Sequence, residues 1–118
     1  MRLDRLQGYA LSLPQTTVVK QWGDSLVHKV AGKVFFLISM DGATPEAVVF
    51  KCRPDEFDAL TDSDAVAQAP YFAKRHWVRV ADLGVFSEKE LRAQIRHSYD
   101  LVVAGLPKKV QATLRPKP

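Results

Sequence analysis

The first apolar residues of the chain recur with a helical period. Between residues 2 and 12, Leu3, Leu6 and Ala10 fall on one face of a helix, and Arg2, Arg5 and Gln7 lie elsewhere. A helix rarely continues into the residue before a proline, so Pro14 sets its end. The pattern predicts an amphipathic first helix.

The next part of the chain has the composition of β-strands, because Val, Thr, Ile and Phe dominate it. Four such runs cover residues 17–22, 25–30, 33–40 and 47–52. Tight turns at Gly23-Asp24 and Ala31-Gly32, and a longer turn over 41–45, separate the runs. We therefore expect an antiparallel meander of four strands.

A short helix and one further strand follow the meander. Pro54 suits the first position of a helix, and acidic residues near the start favour a helix over 55–60. The pattern over residues 61–73 predicts a loop that could include one helical turn. Residues 76–81 predict a fifth strand.

The last third of the chain predicts two helices. Ser87 and Glu90 have the spacing of a capping box, and the helix that they begin extends to about Ala104. Gly105 is typical of the left-handed residue that ends a helix, and Pro107 begins a short final helix. With strands clustered and helices at both ends, the order predicts an α+β fold: an antiparallel sheet of about five strands with helices packed on one face.

Length and composition favour a single globular domain over residues 1–118. Apolar residues make up 47% of the chain and charged residues 25%, which is an ordinary globular balance. The single cysteine, Cys52, excludes an internal disulfide framework, and the sequence leads us to expect neither a signal peptide nor a membrane span. These features predict a soluble cytoplasmic protein without membrane contact.

The net charge is +4, and the predicted strands concentrate it. Successive side chains of a strand point to opposite faces, and we expect the more apolar set to meet the helices. The other face is predicted to carry Lys29, Lys51, Arg53, Trp77 and Arg79. None of the predicted strands contains Asp or Glu. Such a face can hold phosphates and stack a base, although strand lysines also keep sheet edges soluble without any binding role.

A compact basic cluster, Lys74-Arg75-His76-Trp77, precedes the fifth strand. It could grip a phosphate beside an indole that stacks on a base or sugar. The alternative is that Trp77 covers the sheet and that the side chains of Lys74 and Arg75 are only hydrated. Together with the strand residues, the predicted nucleic-acid-binding set is Lys29, Lys51, Arg53, Lys74, Arg75, His76, Trp77 and Arg79.

Catalytic and metal-binding motifs are missing from the sequence. It has no Gly-rich phosphate loop, nucleophile elbow, paired-histidine zinc motif or Cys-pair motif. His97 and Asp100 lie one helical turn apart, but no third ligand accompanies them. Cys52 is interpreted as a small buried residue, and Trp22 as a hairpin-tip residue that packs on a neighbouring strand. We expect no catalytic residues, cofactor or metal.

Several short motifs in order resemble the YjbR/MmcQ-like family. They are Lys33-Val34-Phe35, Phe50-Lys51-Cys52, Lys74-Arg75-His76-Trp77-Val78, Ser98-Tyr99-Asp100-Leu101-Val102 and Leu106-Pro107-Lys108-Lys109. The resemblance implies a compact α+β domain of the frataxin-like (CyaY-like) type, also called a double wing, and a DNA-binding role in a bacterial protein. Frataxins present an acidic first helix for iron, whereas this chain has Arg2, Asp4 and Arg5 there.

The sequence thus predicts a monomeric nucleic-acid-binding module, with DNA as the partner and no catalysis. A protein-interaction or small-ligand domain, using the Trp77 face and a pocket beside Tyr99, is the alternative. A metal-handling protein of the frataxin type is the third.

Overall fold

The computed structural model describes residues 3–21, 23–69, 76–81, 84 and 86–114. The helices are α1 (Leu3–Ser12), α2 (Pro54–Thr61), α3 (Glu88–Ala104) and α4 (Lys108–Leu114). The strands are β1 (Thr16–Gln21), β2 (Ser25–Val30), β3 (Lys33–Asp41), β4 (Thr44–Lys51), β5 (Val66–Gln68) and β6 (Trp77–Val80). They form one sheet of order β1-β2-β3-β4-β6-β5 in which all neighbours are antiparallel. The predicted α+β class is confirmed, with six strands instead of five.

Three local predictions are wrong. The predicted loop over 61–73 contains β5, which is too short to show a period and forms by pairing with β6. Strand β4 begins at Thr44, three residues earlier than predicted. Helix α3 ends at Gly105 with a φ of −87°, so the expected left-handed residue is absent, and the Gly105 N–H donates to the Val102 carbonyl at 3.1 Å.

The main core fills the space between the helices and one face of the sheet. Phe36, Phe50 and Val78 contribute to it from neighbouring strands, and Leu6 of α1 and Ile95 of α3 from the helices. The remaining two helices reach the same cluster through Phe57 of α2 and Leu114 of α4. All four helices therefore pack on one face, as the sequence predicts, and we call the opposite face the second face.

The second face has a smaller apolar cluster of its own. Its buried members are Val27, Leu37, Val49, Ala69 and Trp77. Exposures of 0% for Val27 and 8% for Trp77 show that the middle of this face is closed to water. The sheet is thus buried on both sides, and only the surroundings of this cluster can meet a partner.

Two β-bulges alter which side chains reach each face. Between β2 and β3, His28 pairs with Phe36 and Lys29 with Val34, so Phe35 is an extra residue. Between β3 and β4, Ser39 pairs with Ala47 and Met40 with Pro45, so Glu46 is an extra residue. A bulge inserts one unpaired residue and redirects side chains. The two bulges place Phe35 in the main core and Glu46 beside Ser39.

A buried serine fastens α3 to the sheet at the first of these bulges. The Ser98 hydroxyl donates to the Phe35 carbonyl at 2.5 Å and accepts from the Lys51 N–H at 2.9 Å. It therefore bridges β3 and β4 just beyond their last register pair, Phe36 and Phe50. Buried backbone groups need such partners. Ser98, the first residue of the motif Ser98-Tyr99-Asp100-Leu101-Val102, therefore has a structural role.

Candidate nucleic-acid interface

Two lysines of the predicted set lie on the second face. Lys29 pairs with Thr17 and Val34, and Lys51 pairs with Trp77. Two inter-strand spacings separate β2 from β4, which is about 10 Å. Both lysines are half-buried, and neither forms an ion pair with any residue that the structure describes. The sheet thus holds two uncompensated positive charges beside the closed apolar cluster.

Arg79 is the third cation of this face. It lies opposite Val49 on β4 and opposite Ala67 on β5. Its side chain is 34% exposed, and its Nη2 atom lies 4.0 Å from Oε2 of Glu46. An ion pair at this distance, with both side chains partly exposed to water, contributes little to stability. Arg79 therefore remains available for an anion, although a carboxylate competes for it.

Glu46 is the residue of this face that the sequence did not reveal. The prediction of strands without carboxylates is wrong, because β4 begins before this residue and the second bulge lies at it. Its Oε2 accepts a hydrogen bond from the Ser39 hydroxyl at 3.1 Å. No periodicity of the sequence indicates a bulge, so only the register shows that an acid reaches the second face.

Trp77 is on the predicted face but not in the predicted environment. We expected an indole that water can reach, and its exposure is 8%. It belongs to the cluster of Val27, Leu37 and Val49, and its carbonyl accepts from the Ala69 N–H at 2.9 Å. A base cannot stack on a ring that is covered in this way. The burial also argues against a protein-interaction or small-ligand surface anchored by this indole.

Arg53 lies away from the second face. The expectation that it continues the alternation of β4 is wrong, because the strand ends at Lys51 and residue 53 is the N-cap of α2. Its guanidinium binds Asp55 at 3.2 Å through Nη2 and Glu56 at 2.9 Å through Nε. These acids of the first helical turn neutralise it locally.

His76 also lies apart from the cationic face. Its φ is 81°, a left-handed value that is rare for residues other than glycine, and His is among the residues that tolerate it best. The ring contacts Phe57 edge-on with 5.7 Å between centroids. Its carbonyl accepts from the Cys52 N–H at 2.7 Å. This residue shapes the entry into β6 next to α2.

Three residues of the predictions lie outside the described part of the chain. These are Lys74 and Arg75 of the predicted interface and Trp22 of the predicted hairpin tip. The geometry of the interface therefore rests on Lys29, Lys51 and Arg79.

The other candidate groups do not form a reactive site in the described residues. Burial raises the pKa of the Cys52 thiol to about 11, which suits an unreactive core residue. The Tyr99 hydroxyl donates to the Pro14 carbonyl at 2.7 Å, so it is already used within the fold. Asp100 is paired with Arg96 at 3.1 Å.

The described residues form neither a metal-ligand cluster nor a membrane-spanning helix. Within the described ranges, no group of three or more His, Cys, Asp or Glu side chains is arranged so that it could hold a metal ion. A shallow surface pocket brings His97 and Asp100 near Arg53, with Leu101 and Ala104 beside them. None of the described helices has the length and apolar character needed to cross a membrane.

An antiparallel sheet with four helices on one face, and a second face with cations around a closed apolar centre, defines a compact α+β domain. The chain belongs to the YjbR family, whose model matches residues 11–101. It is 31% identical over 111 residues to a protein of Escherichia coli O157:H7 named "Uncharacterized protein YbdF", covering 91% of this chain and 88% of that one. The family resemblance that the sequence indicates is confirmed.

Two crystal structures have the same fold. Protein DR2400 of Deinococcus radiodurans, with a domain labelled DUF419, matches 95% of this chain and 86% of its own at 23% identity, with a TM-score of 0.82. A protein from Pseudomonas syringae matches 86% of this chain and 98% of its own at 22% identity, with a TM-score of 0.67. At these identities the likeness concerns the fold alone.

Proposed function

We propose that this protein is a non-catalytic DNA-binding module of the cytoplasm whose second sheet face contacts phosphates. Lys29 and Lys51 supply the principal contacts, and Arg79 supplies a third. The observation that carries the proposal is that the two lysines share one face and have no anionic partner in the described residues. We also propose that the fold is of the CyaY-like double-wing type, as the family resemblance implies.

These two lysines have no ion pair in the described ranges, whereas many of the other basic residues there have one. Each of five other bases has a carboxylate within 3.7 Å: Arg5, Lys20, Arg53, Arg92 and Arg96. A base with its own acid has less to gain from a phosphate, because it must first give up that partner. The free charge of the second face is thus better placed to attract a polyanion.

The geometry favours contact with the DNA backbone over the reading of bases. The major groove is about 12 Å wide and admits a helix or a two-stranded ribbon, whereas a six-stranded sheet is much broader. The buried Trp77 is not available to stack on an exposed base. Phosphate contacts carry no sequence information. We therefore expect binding that depends on charge and hardly on sequence.

A titration of a fluorescent 20-base-pair duplex at 50 mM salt tests the proposal. The informative variant is Lys29→Gln/Lys51→Gln, and Lys108→Gln/Lys109→Gln is the control because it changes net charge equally on exposed residues of α4. We expect the first variant to bind at least ~10-fold more weakly and the control to stay within ~2-fold of the wild type. Absence of wild-type binding, or equal losses in both variants, would overturn the proposal.

A further inference from the structure

Among the described residues, none pairs with the outer edge of β1. Strand β1 is the terminal strand of the sheet, and its six residues pair only with β2 in a register without a bulge. No backbone hydrogen bond joins the outward side of residues 16–21 to another described residue. Free donors and acceptors along such an edge are a template for a further strand.

The side chains of β1 do little to prevent such pairing. The strand contains no proline, and its one charged residue, Lys20, is paired with Asp24 at 3.5 Å. Val19 is 39% exposed, and Leu11, at the end of α1, is 38% exposed. Natural sheets usually block long edges with charges, prolines or bulges. Lys20 is the one such device in β1, so residues 16–19 of the edge remain open to a partner.

We propose that β1 of one protomer pairs antiparallel with β1 of a second copy of this chain. A two-fold axis perpendicular to the sheet relates the two strands, so the contact uses the same surface on both protomers. Residues directly opposite each other in antiparallel strands point to the same face. Only registers that place Val18 or Val19 on the axis satisfy this condition and pair most of the strand.

Charge selects between these two registers. With Val19 on the axis, the two Lys20 residues lie about 8 Å apart, whereas with Val18 on the axis the separation is about 14 Å. The second register brings Val18 opposite Val18 of the partner subunit, and Thr17 opposite Val19 of the partner subunit. Pairs of β-branched residues stabilise neighbouring strands. β1 is therefore complementary to itself without a like-charge contact, which favours a second copy over an unrelated peptide.

This association would replace the monomer that the sequence predicts, and it does not depend on DNA binding. Because the axis is perpendicular to the sheet, the second faces of both protomers would lie on the same side. Lys29 and Lys51 would then be present twice on one continuous surface. Self-association is measured without DNA. A negative result would therefore overturn the dimer and would not bear on the proposed DNA binding.

Sedimentation velocity between about 5 and 500 µM provides the first test. We expect a concentration-dependent dimer that Thr17→Lys/Val19→Lys weakens at least ~10-fold, because like charges then face each other twice. The swap Thr17→Lys/Val19→Glu should restore the dimer, since each introduced lysine then faces an introduced glutamate. Thr17→Val/Val19→Thr is the control that keeps β-branched residues at both positions.

Cysteine cross-linking tests the register. Under mild oxidation, Val18→Cys should form an intermolecular disulfide, and Val19→Cys should not, because only residue 18 faces its own copy. The wild type controls for Cys52, which is buried. A monomer throughout the concentration range, a dimer indifferent to the double lysine variant, or cross-linking through position 19 alone would each overturn the proposal.

Discussion

Lys51 and Trp77 lie directly opposite each other on β4 and β6, and their side chains share the second face. Lys51 is half-buried, so part of it meets water, whereas Trp77 is 8% exposed. The pair that the sequence assigns to one recognition surface is therefore divided into a hydrated cation and a core residue. This division determines how the two residues should respond to substitution.

Trp77 should contribute to stability and not to binding. Trp77→Ala should lower the free energy of unfolding by about 3–5 kcal/mol, because it removes a large buried side chain. Trp77→Leu keeps an apolar side chain in the cluster but removes the ring, and it should leave the duplex affinity within ~2-fold of the wild type. Loss of a stacked base would cost about 1–3 kcal/mol of binding, so a loss of that size in a folded Trp77→Leu protein would contradict the assignment. Urea unfolding and duplex titration on the same samples measure both quantities.

Glu46 should weaken the attraction of the second face for anions. Glu46→Gln removes a negative charge that lies 4.0 Å from Arg79 and keeps a side chain able to accept from Ser39. We expect duplex affinity to rise about three- to fivefold at low salt, as the removal of one nearby charge in a largely aqueous setting would produce. Glu56→Gln, next to Arg53 on α2, is the matched control. A lower affinity for the Glu46 variant would show that this carboxylate itself contacts the ligand.

Ser98 should be among the polar residues on which the fold depends most. Ser98→Ala leaves the Lys51 N–H and the Phe35 carbonyl without the partner that bridges them. Each unsatisfied buried group costs about 1–3 kcal/mol, so we expect a loss of ~3 kcal/mol in unfolding free energy. Ser87→Ala, the same chemical change at the exposed cap of α3, should cost ~1 kcal/mol. Equal losses in thermal or urea unfolding would contradict the special position of Ser98.

His28 should make stability depend on pH. It is fully buried beside Phe36, its ring nitrogens have no hydrogen-bond partner in the described structure, and burial lowers its pKa to about 4. Nearby backbone groups of Leu26 and Phe36 oppose this shift only in part. Because the folded pKa lies below the unfolded value of about 6.5, the unfolded state gains a proton first as the pH falls.

The stabilising effect of a neutral His28 is therefore complete above pH 6.5 and is lost progressively towards pH 4. Between pH 7 and pH 5 we expect the free energy of unfolding to decrease by ~2 kcal/mol. His28→Phe should flatten this dependence, and His97→Gln, which replaces an exposed histidine, should leave it unchanged. A wild type whose urea midpoint is the same at both pH values would refute this role.

The limits of prediction from sequence differ between the fold and the site. The helical period around Leu6, the strand composition and the capping box at Ser87 are local signals, and they gave the α+β class. The two bulges depend on pairing between strands, so the position of Glu46 could not be obtained from alternation alone. Burial of Trp77 depends on contacts of the second face, which the amphipathic pattern of a strand does not report. Arg53 was misplaced because the alternation of β4 was continued two residues past Lys51, where the strand ends.

The salt dependence of duplex binding is the decisive measurement of contact between the second face and DNA phosphates. Each phosphate contact on B-DNA contributes about −0.9 to the slope of log K against log salt concentration. If Lys29 and Lys51 both contact phosphates, Lys29→Gln/Lys51→Gln should reduce the magnitude of the wild-type slope by ~1.8, while Lys108→Gln/Lys109→Gln should leave it nearly unchanged. A slope that is the same in the wild type and the Lys29/Lys51 variant would contradict the claim that this face binds the DNA backbone.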